Sequence, residues 1–208
     1  MFFLGNSRWW VPQNCVSLPA MTPSAIVIGI VFVLAVTTPV VTVSLGLEPK
    51  SKSNASRQLL AALAFGVMES LMAFLGYLFG TWIAPMYGDL LPYFIFAVLL
   101  IVGVKMMVHA MKVLKAKYLF SFISAWGFLL LGVFAAINTF MVGIGGDGFL
   151  PFGHWYFLAV GVAGFLWAFN AVKKEYSPEL MRASSFIEFS GAVFVLIIAI
   201  LFLFTDLI

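Results

Sequence analysis

Apolar residues run along this chain in six long blocks, at about 24–46, 58–83, 93–114, 119–145, 154–173 and 185–206. At about 1.5 Å per residue, each is long enough to cross roughly 30 Å of hydrocarbon as a helix. None shows the short alternating segments of barrel strands, so the pattern predicts an all-α integral membrane protein with six transmembrane helices. Two blocks carry matching polar interruptions. The first holds Thr38, Pro39, Thr42 and Ser44 before Gly46; the fourth holds Asn138 and Thr139 before Gly143 and Gly145. Aligning Pro39 with Asn138 brings Gly46 onto Gly145 and Ser44 onto Gly143, with each break seven residues ahead of its glycine. Such a pair predicts two three-helix repeats, about 24–114 and 119–206, whose interface is where a transporter places its site. The membrane domain is then 24–208, behind an external or interfacial tail at 1–23.

The charges between the blocks orient the chain. Lys50, Lys52 and Arg57 follow the first block, Lys112, Lys115 and Lys117 the third, and Lys173, Lys174 and Arg182 the fifth. The second and fourth connections, near Asp89 and Asp147, hold no lysine or arginine. The excess of basic residues on the cytosolic side places the first, third and fifth connections inside and both termini outside. The expected location is a bacterial inner membrane, crossed several times. The formal glycosylation sequon at Asn54 then faces the cytosol and is inert. Blocks one and four run in opposite directions, as inverted repeats require. Seven residues is about 10 Å of helix, so Pro39 and Asn138 are expected near one another around the midplane. Proline inside a helix frees a carbonyl, which in a membrane needs a neighbour, water or a ligand. A packing kink supported by Thr37 or Thr38 is the alternative.

Composition narrows the classes further. Hydrophobic residues make up 63 % of the chain and charged residues 9 %, too few charges to clothe a water-facing surface. The net charge of +3 is small and dispersed, which argues against a nucleic-acid partner. One cysteine, Cys15, excludes an intramolecular disulfide and a cysteine metal cluster. Arg8, Trp9, Trp10, Pro12 and Pro19 make the tail a poor signal peptide; it can anchor at the interface through its tryptophans, or Met21 can be the start. No cofactor is implied, and metal ligands are not identified.

The second block places Glu69 at mid-bilayer depth, about 16 Å from its cytosolic end, beside a Gly76-x-x-x-Gly80 spacing that permits close helix approach. An ionisable group at that depth is a functional hypothesis by default. Lys105, one antiparallel block later, is its expected ion-pair partner; the alternative is that Lys105 snorkels outward beside His109 and Lys112. Met106, Met107 and Met111 read as packing, and His109 as interfacial. Gly164 in the fifth block stands where Glu69 stands in the second. Ser177-Pro178-Glu179 is a helix-start signature leading into the sixth block. There Glu188 is expected at headgroup depth, meeting Lys173, Lys174 or Arg182.

Four stretches resemble the MntP family, a group of manganese efflux pumps within the lysine-exporter-like six-helix proteins. They are Leu63 to Leu71, Phe96 to Met106, Val142 to Gly145, and Ile187 to Gly191. The resemblance covers roughly 26–206 and implies an ion transporter. It also implies an aspartate in block one and another in block four, where this chain has Pro39 and Asn138. Manganese(II) favours oxygen ligands, carboxylates above all, so manganese export is the family property this chain departs from. The reading is a divergent transporter of a small solute or cation, with Glu69, Asn138, Thr139, Thr38, Pro39 and Thr42 as substrate-binding candidates. The alternative is a non-transporting subunit that scaffolds partner proteins in a larger membrane complex. No nucleophile or metal motif points to an enzyme.

Overall fold

The computed structural model describes residues 23–47, 54–87, 90–115, 125–145, 156–174 and 177–205. The 1–22 tail with Cys15, and Lys50, Lys52, Asp89, Lys117 and Asp147, lie outside the described residues. Eight helices make up the described chain: α1 Pro23–Val36, α2 Pro39–Leu45, α3 Ala55–Tyr87, α4 Leu91–Lys115, α5 Ala125–Ala135, α6 Ile137–Ile144, α7 Tyr156–Val172 and α8 Pro178–Thr205. Each of the six apolar blocks contains helix among its described residues. Four spans (Ile26–Leu45, α3, α4 and α8) are long and apolar enough to cross a membrane, and the α5–α6 pair makes a fifth if counted as one. At 17 residues, α7 is shorter; its rise is about 25 Å. The last helix starts at Pro178, at the helix-start signature and ahead of the apolar block at 185, and there the Ser177 hydroxyl accepts from the Glu179 amide at 3.3 Å.

The break between α1 and α2 follows from Pro39. A proline ring clashes with the carbonyl four residues back, here Ala35, and offers no amide to it. The Thr38 hydroxyl takes that carbonyl at 2.8 Å, and the Thr37 hydroxyl takes those of Val33 at 2.9 Å and Leu34 at 3.2 Å. The freed backbone groups are therefore satisfied by the two threonines. The bend between α5 and α6 is 47° and falls at Ala136, with no proline to mark it. Both short segments end on the aligned glycines: Gly46 caps α2 and Gly145 caps α6.

Glycines set the closest crossings. A Cβ on Gly76 would run into the Phe140 carbonyl and one on Gly80 into that of Ile144, so α6 lies directly against α3. At Gly66 a Cβ would come within 2.9 Å of the Gly161 carbonyl, and at Gly161 within 3.2 Å of the Gly66 carbonyl, which brings α3 and α7 together. Around these crossings the core fills with Phe32, Leu99, Val102 and Met106 on one side and Val40, Phe65, Phe128 and Ala168 on the other. Leu45, Val113, Ala171 and Met181 pack together, so the ends of α2, α4 and α7 meet the start of α8 at one end of the bundle. That end carries Lys112, Lys173, Lys174 and Arg182. Trp126, Phe134, Phe186 and Trp82 point outward, as a lipid-facing surface requires.

Candidate functional site

The α5–α6 bend delivers two neighbouring side chains in different directions, because one helical residue turns the chain by about 100°. Asn138 Oδ1 accepts a hydrogen bond from Lys105 Nζ at 2.8 Å. Thr139, fully buried, donates from its hydroxyl to Glu69 Oε2. Glu69 is fully buried too, and its other oxygen, Oε1, has no hydrogen-bond partner. The expected Glu69–Lys105 pair is therefore not made. Each takes its own partner on α6, Lys105 on Asn138 and Glu69 on Thr139 one residue further along.

A second buried carboxylate completes the region. Glu188 was expected among headgroups beside Lys173, Lys174 or Arg182, yet it is fully buried. Its Oε2 accepts from the Thr42 hydroxyl at 2.9 Å, and its Oε1 lies 2.7 Å from His109 Nδ1. The early start of α8 explains the correction. Ten residues of helix precede Glu188, about 15 Å of rise, which carries it well into the bundle. His109 likewise is a partner of a buried carboxylate, although its own side chain is 44 % exposed. The sequence signal for it was the four-residue step from Lys105, which puts both on one face of α4.

These groups surround a cavity of about 250 Å³ lined by Pro39 and Val43 of α2, Lys105 and His109 of α4, Leu131, Phe134 and Ala135 of α5, Asn138 of α6, and Glu188 of α8. Pro39 and Asn138, the two aligned breaks, thus line one space. Of the other candidates, Thr42 reaches the region through Glu188, while Thr38 spends its hydroxyl on the Ala35 carbonyl and Thr139 with Glu69 forms a separate buried contact. The Glu69–Gly164 correspondence has a steric basis. A Cβ on Gly164 would stand 2.8 Å from Glu69 Cγ, so only one of the crossing helices can carry a side chain at that level. Met106 is in the core and Met111 is exposed, so the methionines do not converge. Among the described residues no three or more histidine, cysteine, aspartate or glutamate side chains are grouped to hold a metal ion.

A bundle of apolar helices enclosing a polar cavity between broken segments defines a multi-pass membrane protein. The chain belongs to the MntP family, described as "Putative manganese efflux pump", which it matches over residues 52–203. A relative from Methanothermobacter thermautotrophicus, named "Putative manganese efflux pump MntP", is 30 % identical over 93 residues, covering 45 % of this chain and 49 % of the relative. The match thus spans about half the length of that relative. No solved structure matches the chain.

Proposed function

We propose that the chain is a divergent MntP-like transporter of the inner membrane that moves a small solute through the α2–α4–α6–α8 cavity. One observation carries the reading: the breaks of both halves line a single cavity that also holds a lysine. Multi-pass transporters use such discontinuous helices at the repeat interface to form a site near the midplane. Six spans in two inverted repeats are part of this proposal. Supporting it, α2 and α6 end on aligned glycine caps, and Gly66 and Gly161 meet each other reciprocally where α3 crosses α7. The gathering of Lys112, Lys173, Lys174 and Arg182 at one end supports a cytosolic face there, with both termini outside.

Manganese is not the solute of this reading. The ion favours carboxylates, but the one carboxylate lining the cavity is engaged by Thr42 and His109, and an ammonium group stands beside it. The reading is tested by Asn138→Cys in a Cys15→Ser background. In a transporter the new thiol reacts with small water-soluble reagents from at least one side, and its access changes when substrate is supplied. A folded, correctly inserted protein that stays unlabelled from both sides would remove the transport reading and leave a structural subunit.

A further inference from the structure

The cavity is better equipped with donors than with acceptors. Lys105 Nζ uses one of its three protons on Asn138 Oδ1, which leaves two protons and a positive charge. Asn138 is 5 % exposed, and its amide Nδ2 adds two protons to the donors at this place. The acceptors are already committed: Asn138 Oδ1 to Lys105, and the two oxygens of Glu188 to Thr42 and His109. The remaining wall is apolar, formed by Val43, Leu131 and Phe134 with Pro39 and Ala135. A bare cation entering here would meet an ammonium, and the one carboxylate among the described lining residues, Glu188, already accepts from Thr42 and faces His109. An anion would meet the charged donor of Lys105, itself exposed, and the amide donor of Asn138, and hydrogen bonds to an ammonium are among the strong ones.

We propose that this cavity binds a small monocarboxylate, its carboxylate held by Lys105 and Asn138 and its short apolar body against Leu131 and Phe134. The inference rests on the transporter reading for its place in a reaction, but binding can be measured apart from transport. A volume of about 250 Å³ corresponds to roughly eight waters at about 30 Å³ each, which leaves room for a short-chain acid such as a four-carbon one. The same chemistry, a carboxylate on an apolar body, is also offered by a membrane fatty acid. Phe134 is 68 % exposed at the cavity's edge, so a lateral approach is sterically open.

The test is equilibrium binding of radiolabelled butyrate to the purified full chain in nanodiscs of neutral phosphatidylcholine, with palmitate and manganese chloride as competitors. Saturable butyrate binding is expected, with manganese not competing. Lys105→Gln should weaken it at least tenfold and Lys105→Arg should largely restore it, so that a loss through misfolding is told apart from a loss of charge. Palmitate binding that depends on Lys105, without butyrate binding, would support the same anchoring group with the membrane as the source. Absence of both, undiminished binding by Lys105→Gln, or displacement by manganese would overturn the proposal. Carboxylate binding without flux would leave this inference standing and remove the transporter reading; flux of a cation without carboxylate binding would do the reverse.

Discussion

Thr139→Val removes one hydroxyl and almost no volume, and it does so at the only hydrogen bond that Glu69 makes among the described residues. Glu69 is fully buried with Oε1 already unpartnered, so the variant leaves a carboxyl group with no partner at all. An unsatisfied buried polar group costs about 1–3 kcal/mol in soluble proteins. Interhelical hydrogen bonds inside membranes average about 0.6 kcal/mol with a ceiling near 1.7, because the unfolded chain also finds partners there. Complete burial puts Thr139–Glu69 near the upper end of that range, at about 1.5 kcal/mol. Glu69→Leu strands the Thr139 hydroxyl instead, at lower cost, since a helical threonine can turn to a carbonyl in the preceding turn. The double variant should therefore be more stable than the sum of the two losses predicts, by about 1–2 kcal/mol. Unfolding of the four proteins of the cycle in one detergent measures this coupling directly. A parallel cycle of Glu69→Leu with Lys105→Met should give a clearly smaller coupling, because the ammonium bonds Asn138. Additive losses in the first cycle, or an equal or larger coupling in the second, would refute the assignment of partners.

Gly76→Ala should destabilise by about 1–3 kcal/mol, since the new methyl would strike the Phe140 backbone and push α6 from α3. Gly132→Ala should cost far less, because there only the Met68 side chain stands in the way, and equal losses would show that backbone contact does not set the α3–α6 crossing. His109→Ala leaves Glu188 Oε1 without its partner and should cost about 1–2 kcal/mol, the partial exposure of His109 keeping it below a fully buried pair; unchanged unfolding would show the contact to be idle. Expression in cells lacking their own manganese exporter should give little manganese resistance, and full rescue would show that Pro39 and Asn138 are no obstacle to that ion.

Much of the scaffold was legible because its causes are local. Pro39 takes one amide out of its helix and crowds the carbonyl before it, and the threonines ahead of it are placed to take up the freed carbonyls. The Gly46 and Gly145 caps could likewise be read from spacing alone. The bend at Ala136 could be expected only by analogy with the first block, because no residue there forbids a straight helix. Of the site, Asn138 was legible as a lone amide among apolar residues. Glu188 was not, because its depth was counted from position 185, whereas α8 begins at Pro178. His109 was discounted for its closeness to the basic end, although it reaches inward from there to a buried carboxylate.

The sequence by itself determined that the chain is helical and lives in a membrane, and where its helices break. Those properties come from sums over some twenty residues, or from single residues such as Pro39 that act on the backbone beside them. Only the tertiary structure decided which polar groups meet. Depth is one coordinate of a side chain and its angle around the helix is another, and that angle changes by about 100° with each residue. It is set by how the helices are rotated against one another, and here the glycine crossings at Gly66, Gly76 and Gly161 fix that rotation. Turned as they are, α3 presents Glu69 to Thr139, α4 presents Lys105 to Asn138 and His109 to Glu188, and the cavity is left with an ammonium and a carboxylate on its walls.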